Sequence, residues 1–568
     1  MISRRIRSVI LLTIVTSFGV FAVEKNQQVK DFNELERRLL AATDRRDAQD
    51  SVFDEAIEAG NYKALVYLGQ IGGEACERLK PYLSGGQGEA RTAALMGAAL
   101  CHDKSLVPSI LANQTPLETE QAQMAQDMAF GFAGDAARHL LVDRVNELSS
   151  AAEVRKCQYE EAQPRDTALF SLMQSLVYDQ LDVSKLPNLN VEHVLALTEQ
   201  LCFGYHAAYL LGRINGLPDV LQQDAVVDAV AGAGSVSVKM ALIRSLRQYG
   251  DAVSPELLDY AEGGEKMIAY EAIRALGQLS DDASLDFLVA QANAGPVHKR
   301  HLALSALAAR DPDDEEIDAF IAGKLSDANP WIAVTALRGL AGRDPATALS
   351  LAKQWLAGDD YYRAFSALVV LTRSDEGKAT LEAYALANPG TVRGREAAIA
   401  LDPSIEAAAE PRKTPDWSVI KAYADRMLVL ETTKGQVCIT ASGHAPYAAT
   451  NFFQLADFGR MDGMLWHRVI PNFVAQAGQI ENPEINNWGS IREEWGGAHV
   501  PGAVGVATAG RDTGGTQFFI NTAYNMHLND RYTVFGNVVA GMDVVHQLEE
   551  GDQIVKASTV DLRSARCK

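Results

Sequence analysis

The sequence predicts a multidomain chain in which an N-terminal all-α solenoid of stacked helix pairs leads into a small closed β-barrel with helices over its ends. Three observations carry that reading. An Ala-Leu step recurs at near-constant spacing, a charged stretch broken by prolines follows it, and beyond that stretch helical periodicity gives way to short strand-like runs. At 568 residues the chain exceeds what one hydrophobic core holds, and such a length corresponds to roughly three or four domain-sized units.

The first element is an export signal over residues 1–22. Arg4, Arg5 and Arg7 form a basic start, Val9 to Ala22 form a short apolar run, and Val20-Phe21-Ala22 sets small residues where a signal peptidase reads. The run is too short for a comfortable membrane span, which needs about 20 residues. The mature chain is therefore expected to be soluble after signal removal, in the periplasm or secreted. Six cysteines suit that compartment: Cys76, Cys101, Cys157 and Cys202 in the first two-thirds, Cys438 and Cys567 in the last. Even numbers on each side allow disulfides within each part, and free buried thiols are the alternative. No Cys/His spacing suggests zinc. The formal charge of -21 argues against nucleic acid and against anionic lipid, both of which need clustered Lys and Arg.

Residues 30–405 are rich in Ala and Leu with helical periodicity. Ser245-Leu246, Ala275-Leu276, Ala306-Leu307, Ala336-Leu337, Ala367-Leu368 and Ala400-Leu401 place leucines at intervals of 30, 31, 30, 31 and 33. Each step is followed by an Asp, Gly or Pro break and a second apolar helix. One helix pair cannot bury both its faces, so the pairs must stack. Period and pattern resemble the short HEAT-like repeats, which form α-solenoids. Such an array is expected to present a concave surface that recruits clients or a protein partner.

Residues 406–417 read as a linker, because Pro411 and Pro415 deny helix and the charges between them resist burial. The last domain spans 418–568. Met427–Thr432 and Gln436–Thr440 read as strands around a Lys434-Gly435 turn, Pro446–Phe458 as a helix stopped by Gly459, and Met542–Leu548 as a second helix. Short strands with two helices in so few residues suggest a closed barrel with helices over its ends.

Three runs in this domain carry the chemistry: Trp466-His467-Arg468-Val469-Ile470-Pro471-Asn472-Phe473-Val474-Ala475-Gln476, Gly514-Gly515-Thr516-Gln517-Phe518-Phe519-Ile520, and Leu528-Asn529-Asp530-Arg531-Tyr532-Thr533-Val534-Phe535-Gly536. In order and spacing they resemble the cyclophilin signatures over roughly residues 425–565. The resemblance implies an eight-stranded antiparallel barrel and peptidyl-prolyl cis–trans isomerase activity on proline-containing polypeptides. It implies Arg468 and Gln476 as catalytic residues, Arg468 being the donor to the prolyl nitrogen and Gln476 holding the substrate backbone. Phe473, Val474, Phe519 and Leu528 would form the proline pocket with Tyr532 at its rim. Ala507, Thr508 and Ala509 would line the groove for residues before the proline, with Gln517 ordering the site. His467 reads as structural rather than catalytic.

The reaction itself requires little equipment. Twisting an X-Pro amide removes its resonance, a barrier of about 20 kcal/mol. No bond breaks, so neither nucleophile, metal nor cofactor is needed. A fixed donor aimed at the prolyl nitrogen stabilises the twisted state more than either planar one. Some positions depart from the family pattern. Val474 stands where Met is common, Thr508 where Asn is, and Tyr532 where His is. His527, also assigned to substrate binding, replaces a Trp that contacts cyclosporin in sensitive members, so weak inhibition is expected. Ala477-Gly478-Gln479 and Glu481–Trp488 diverge, which bears on substrate preference. The competing reading is a scaffold whose barrel binds proline-containing segments without turnover.

Overall fold

The computed structural model describes residues 32–113, 115–150, 164–177, 181–199, 204–310, 314–407, 411–482 and 488–563. The predicted signal at 1–22 and Cys157, Cys202 and Cys567 lie outside them. Among the described residues no helix is long and apolar enough to cross a membrane.

From Glu34 to Ala407 the described chain is helical. The recurring Ala-Leu steps fall on alternate helices: Val236–Leu246, Lys266–Leu276, Val297–Ala308, Pro330–Leu340, Tyr361–Leu371 and Val392–Leu401. Each of these touches the next in the series, and the intervening helices pack outside them, so the array has two layers. The polar breaks start the helices: side chains of Asp281, Asn329, Asp360 and Ser374 accept N–H groups of the first turn. Leu246, Leu276, Leu307 and Leu337 are fully buried between the layers, whereas Leu401, on the last long helix of the array, is 36% exposed. Close approach also demands a missing side chain. A Cβ on Gly277 would lie 2.7 Å from that of Ala306 on the neighbouring helix.

The barrel comprises β1 (Arg426–Thr432), β2 (Gly435–Ala441), β3 (Leu465–Ile470), β4 (Val474–Gln479), β5 (Ala503–Val506), β6 (Phe518–Asn521), β7 (Val534–Ala540) and β8 (Ile554–Asp561). The order is β3-β4-β6-β5-β7-β2-β1-β8, all pairs antiparallel. The sheet curls until its edges meet: Gly463 donates to the Ile554 carbonyl, 2.7 Å, and Ile554 donates to that of Met464, 2.8 Å. Phe452 on the helix Pro446–Asp457 stacks on Phe535 at 4.2 Å and meets Phe518 edge-on, filling the interior. The second predicted helix is shorter than expected, Met542–Val545.

The array wraps the barrel instead of standing apart from it. Trp495 and Met526 of the barrel lie in the core of the array, and Trp331 of the array lies in the core of the barrel, fully buried. Polar contacts line the same seam. Arg46 donates to Asp512, 2.9 Å, and Arg412 stacks over Trp488 at 3.9 Å, so the proline-flanked segment runs along the barrel surface. Glu550 receives Arg338 (2.8 Å), Tyr362 OH (2.9 Å) and the Val469 N–H (3.2 Å). Tyr362→Phe removes one hydrogen bond to a buried carboxylate and is expected to lower stability by about 1–2 kcal/mol, read from denaturant unfolding.

Cys76 and Cys101 form a disulfide within the array. Cys438 is also disulfide-bonded.

Candidate active site

Strand alternation creates the site. On β3, Trp466 and Val469 are buried and Arg468 is exposed. A bulge between Trp466 and Arg468 adds one residue, His467, which turns to the array and meets Phe365 edge-on at 5.5 Å. Burial pushes the His467 imidazole down to about 3, so it is neutral and holds no proton to deliver. Register then sets Arg468 opposite Gln476 on β4, and Gln476 opposite Phe519 on β6. The side chains follow that ladder. Arg468 Nη1 donates to Gln476 Oε1 at 3.3 Å, and Gln476 Nε2 donates to Gln517 Oε1 at 3.1 Å.

Arg468 lies over the Phe473 ring at 5.5 Å, and among the described residues no carboxylate pairs with it. Partial burial of the side chain lowers its pKa below the ordinary guanidinium value, yet a guanidinium stays charged at neutral pH. One face of that charge is therefore available to a substrate.

Val474, Phe519 and Leu528 form a buried apolar cluster, with Phe473, Ala507 and Tyr532 packed against it in partial exposure. It is separate from the barrel core. Tyr532 meets Phe519 edge-on at 6.1 Å. The backbone beneath must be bare: a Cβ on Gly505 would lie 2.4 Å from the Phe519 ring. Ala507 donates its N–H to the Gln517 carbonyl at 3.0 Å, and Ala509 donates to Thr513 Oγ1 at 2.9 Å. These bonds fix a groove wall in which Thr508 is half-buried and Ala509 exposed. The ladder and the apolar cluster thus adjoin through Arg468 and Phe473, and Thr508 and Ala509 follow Ala507 in the chain.

His527 joins them in part. Its ring stacks on Phe473 at 5.6 Å, but Nδ1 turns away to the Tyr209 hydroxyl of the array. Three supports escaped the sequence reading. His499 stacks on Phe519 at 5.5 Å, and its Nε2–H donates to the Tyr532 carbonyl, 3.1 Å. Asn525 donates to the Phe473 carbonyl at 2.9 Å. The third is the array itself, which grips the turn before Phe473. Asn472, at φ +58°, donates to the Met267 carbonyl (2.7 Å) and to Glu271 (3.0 Å), while Arg274 donates to the Pro471 carbonyl. Only the asparagine in a left-handed turn offered a signal, because Asn tolerates that conformation.

Comparison with known proteins agrees with this geometry. Residues 427–566 match the family model described as cyclophilin type peptidyl-prolyl cis-trans isomerase/CLD. Peptidyl-prolyl cis-trans isomerase B of Bacillus subtilis is 42% identical over 112 residues, 19% of this chain and 78% of that protein. A peptidyl-prolyl cis-trans isomerase of Helicobacter pylori is 37% identical over 153 residues, 26% of this chain and 93% of that one. One from Synechococcus elongatus is 34% identical over 140 residues, 23% and 94% of the two chains. Through its C-terminal barrel, this chain belongs to the cyclophilin-type peptidyl-prolyl cis–trans isomerases.

Proposed function

We propose that the protein is an exported isomerase that assists the folding of other exported proteins. In this reading Arg468 is the donor to the twisted prolyl nitrogen and Gln476 holds the substrate backbone. Phe473, Val474, Phe519, Leu528 and Tyr532 seat the ring; Ala507, Thr508 and Ala509 take the preceding residues. The observation that carries it is a guanidinium that no carboxylate pairs among the described residues, set over Phe473 at the edge of a small apolar cluster. A proline ring fills the notch, and the amide nitrogen then lies under a charged donor whose attraction grows as the nitrogen becomes pyramidal.

Export is supported by the basic and apolar start of the sequence and by the Cys76–Cys101 disulfide, because structural disulfides persist in oxidising compartments. The array is proposed to be a HEAT-like solenoid that recruits clients or a partner. Its inner helices are occupied by the barrel, which leaves the outer layer and the rim for that task. The test is catalysis of refolding: the full chain is expected to accelerate the proline-limited phase of a reduced-scale exported client, and Arg468→Ala is not. No acceleration by the wild-type chain would refute the reading.

The scaffold alternative draws on the size of the array, more than twice that of the barrel. A strain whose full-length protein carries Arg468→Ala separates the two. A normal phenotype, where loss of the whole protein gives a defect, favours the scaffold.

A further inference from the structure

Four arginines of the array crowd the end of the proline notch: Arg213, Arg244, Arg247 and Arg274. The carboxylate set against them is Glu271, and it is already taken. Arg244 holds it at 2.8 and 3.0 Å, Arg274 at 2.7 Å, and Asn472 at 3.0 Å. Among the described residues no ion pair reaches Arg213 or Arg247. Arg213 closes the helix Gly204–Arg213, and Arg247 follows the adjacent helix Val236–Leu246. Both are half-buried, and the Arg213 Nε is buried with no hydrogen-bond partner. Burial and the neighbouring Arg244 and Arg213 charges lower the Arg247 guanidinium.

A continuous stack links this charge to the notch. The Phe473 ring lies on His527 at 5.6 Å, His527 lies on Tyr209 at 6.2 Å, and the Arg213 guanidinium lies over Tyr209 at 5.1 Å. Arg213 Nη2 is 3.5 Å from His527 Nδ1. Burial, then the Arg213 charge, hold the imidazole well below its ordinary value, so His527 is neutral and the positive charge resides on the arginines. Arg213 Nη2 donates to the Tyr209 hydroxyl at 2.9 Å and Glu271 acts on Arg247 from beyond ion-pair distance, so among the described residues neither guanidinium has a carboxylate in contact, and a half-buried charge without one costs stability. It fits a site that an anion completes.

We propose that Arg213 and Arg247 form an anion-accepting subsite for the two client residues that follow the proline. The enzyme then turns over proline followed by carboxylate or phosphate side chains faster than proline followed by neutral or basic ones. The inference rests on the assignment of Phe473, Phe519 and Leu528 to the proline pocket. Ala507–Ala509 line the approach of the preceding residues, so the chain leaves past Phe473 and His527. An extended chain advances about 3.3–3.6 Å per residue, and the Phe473 ring lies 5.6 Å from that of His527, whose Nδ1 is 3.5 Å from Arg213 Nη2, so residues after the proline run toward that guanidinium.

The test uses the full-length chain and matched proline peptides whose two following residues are Ala, Lys or Asp, with a fourth peptide carrying phosphoserine. Exchange NMR gives the catalysed isomerisation rate for each. The wild-type rate for the Asp and phosphoserine peptides is expected to exceed that for Ala by about three- to tenfold, with Lys slowest. In the double variant Arg213→Gln, Arg247→Gln the acidic-to-Ala ratio should fall to near one. In Arg213→Lys, Arg247→Lys it should persist, and because a ratio is read, a general loss of fold does not mimic either result. An Asp peptide preferred over the phosphoserine one identifies carboxylates as the natural partner, and the reverse order identifies phosphate. Equal wild-type rates, or a preference that survives the Gln pair, would overturn the subsite. Rates for every peptide untouched by Arg468→Ala would instead overturn the pocket assignment, and the subsite with it.

Discussion

Arg468→Ala is expected to lower kcat/KM for a proline peptide by about 100- to 1,000-fold, the usual cost of deleting one preorganised donor at a transition state. Stability should move by no more than about 0.5 kcal/mol, as for other exposed side chains. The two numbers diverge because of where the guanidinium sits. Its contacts are a 3.3 Å bond to Gln476 and the face of Phe473, neither of which the fold requires. Gln476 keeps its own bond to Gln517 at 3.1 Å in the variant, so the notch should hold its shape while losing the charge that answers the pyramidal nitrogen. Exchange spectroscopy on a short peptide, paired with a denaturant curve, measures both quantities on one preparation. A variant within threefold of the wild-type rate would refute the role of Arg468.

The site was legible from the sequence because its residues arrive in contiguous runs. Arg468, Phe473, Val474 and Gln476 lie on one hairpin, in a run marked by its resemblance to the cyclophilin signatures, and the structure sets Arg468 outside and Val469 inside. The helical character of the array was legible for a related reason: a leucine in every second helix is a local pattern, and all of those leucines but Leu401 are buried. What no local pattern carried was the embrace of the two. Trp331 reads as one more apolar residue on an amphipathic helix, and its place in the barrel core depends on a partner surface far away in the chain. The same holds for the Pro411–Asp416 stretch. Prolines and charges suit an exposed connector, yet Arg412 covers Trp488 and Thr414 bonds to Asp44, interactions that only tertiary structure creates. His527 fell between these cases: family position sets its ring on Phe473, while Tyr209 claims its nitrogen.

Glu271 should therefore matter to catalysis without touching a substrate. Glu271→Gln is expected to destabilise the protein by about 3–5 kcal/mol, because it leaves Arg244 and Arg274 buried without their counter-charge. Activity should fall by about tenfold in the fraction that remains folded, since the turn that aims Phe473 loses its anchor and small misplacements are costly. The bond from Asn472 to Glu271 at 3.0 Å and that from Arg274 to the Pro471 carbonyl both pass through this cluster. Acid titration separates positioning from mere stability. Burial alone would raise the Glu271 carboxyl, but the Arg244 and Arg274 charges and the bonds from Arg244 and Asn472 outweigh it and hold it at about 2, below the ordinary 4.5. A depressed carboxyl contributes stability that is complete above pH 4.5 and is lost as the pH falls through about 2. Wild-type unfolding free energy should accordingly drop across that window, and the drop should shrink in Glu271→Gln. Peptide turnover at pH 7 should be low in the variant even where its denaturant curve shows it fully folded. Full activity there would mean that the array holds the barrel without steering its proline notch.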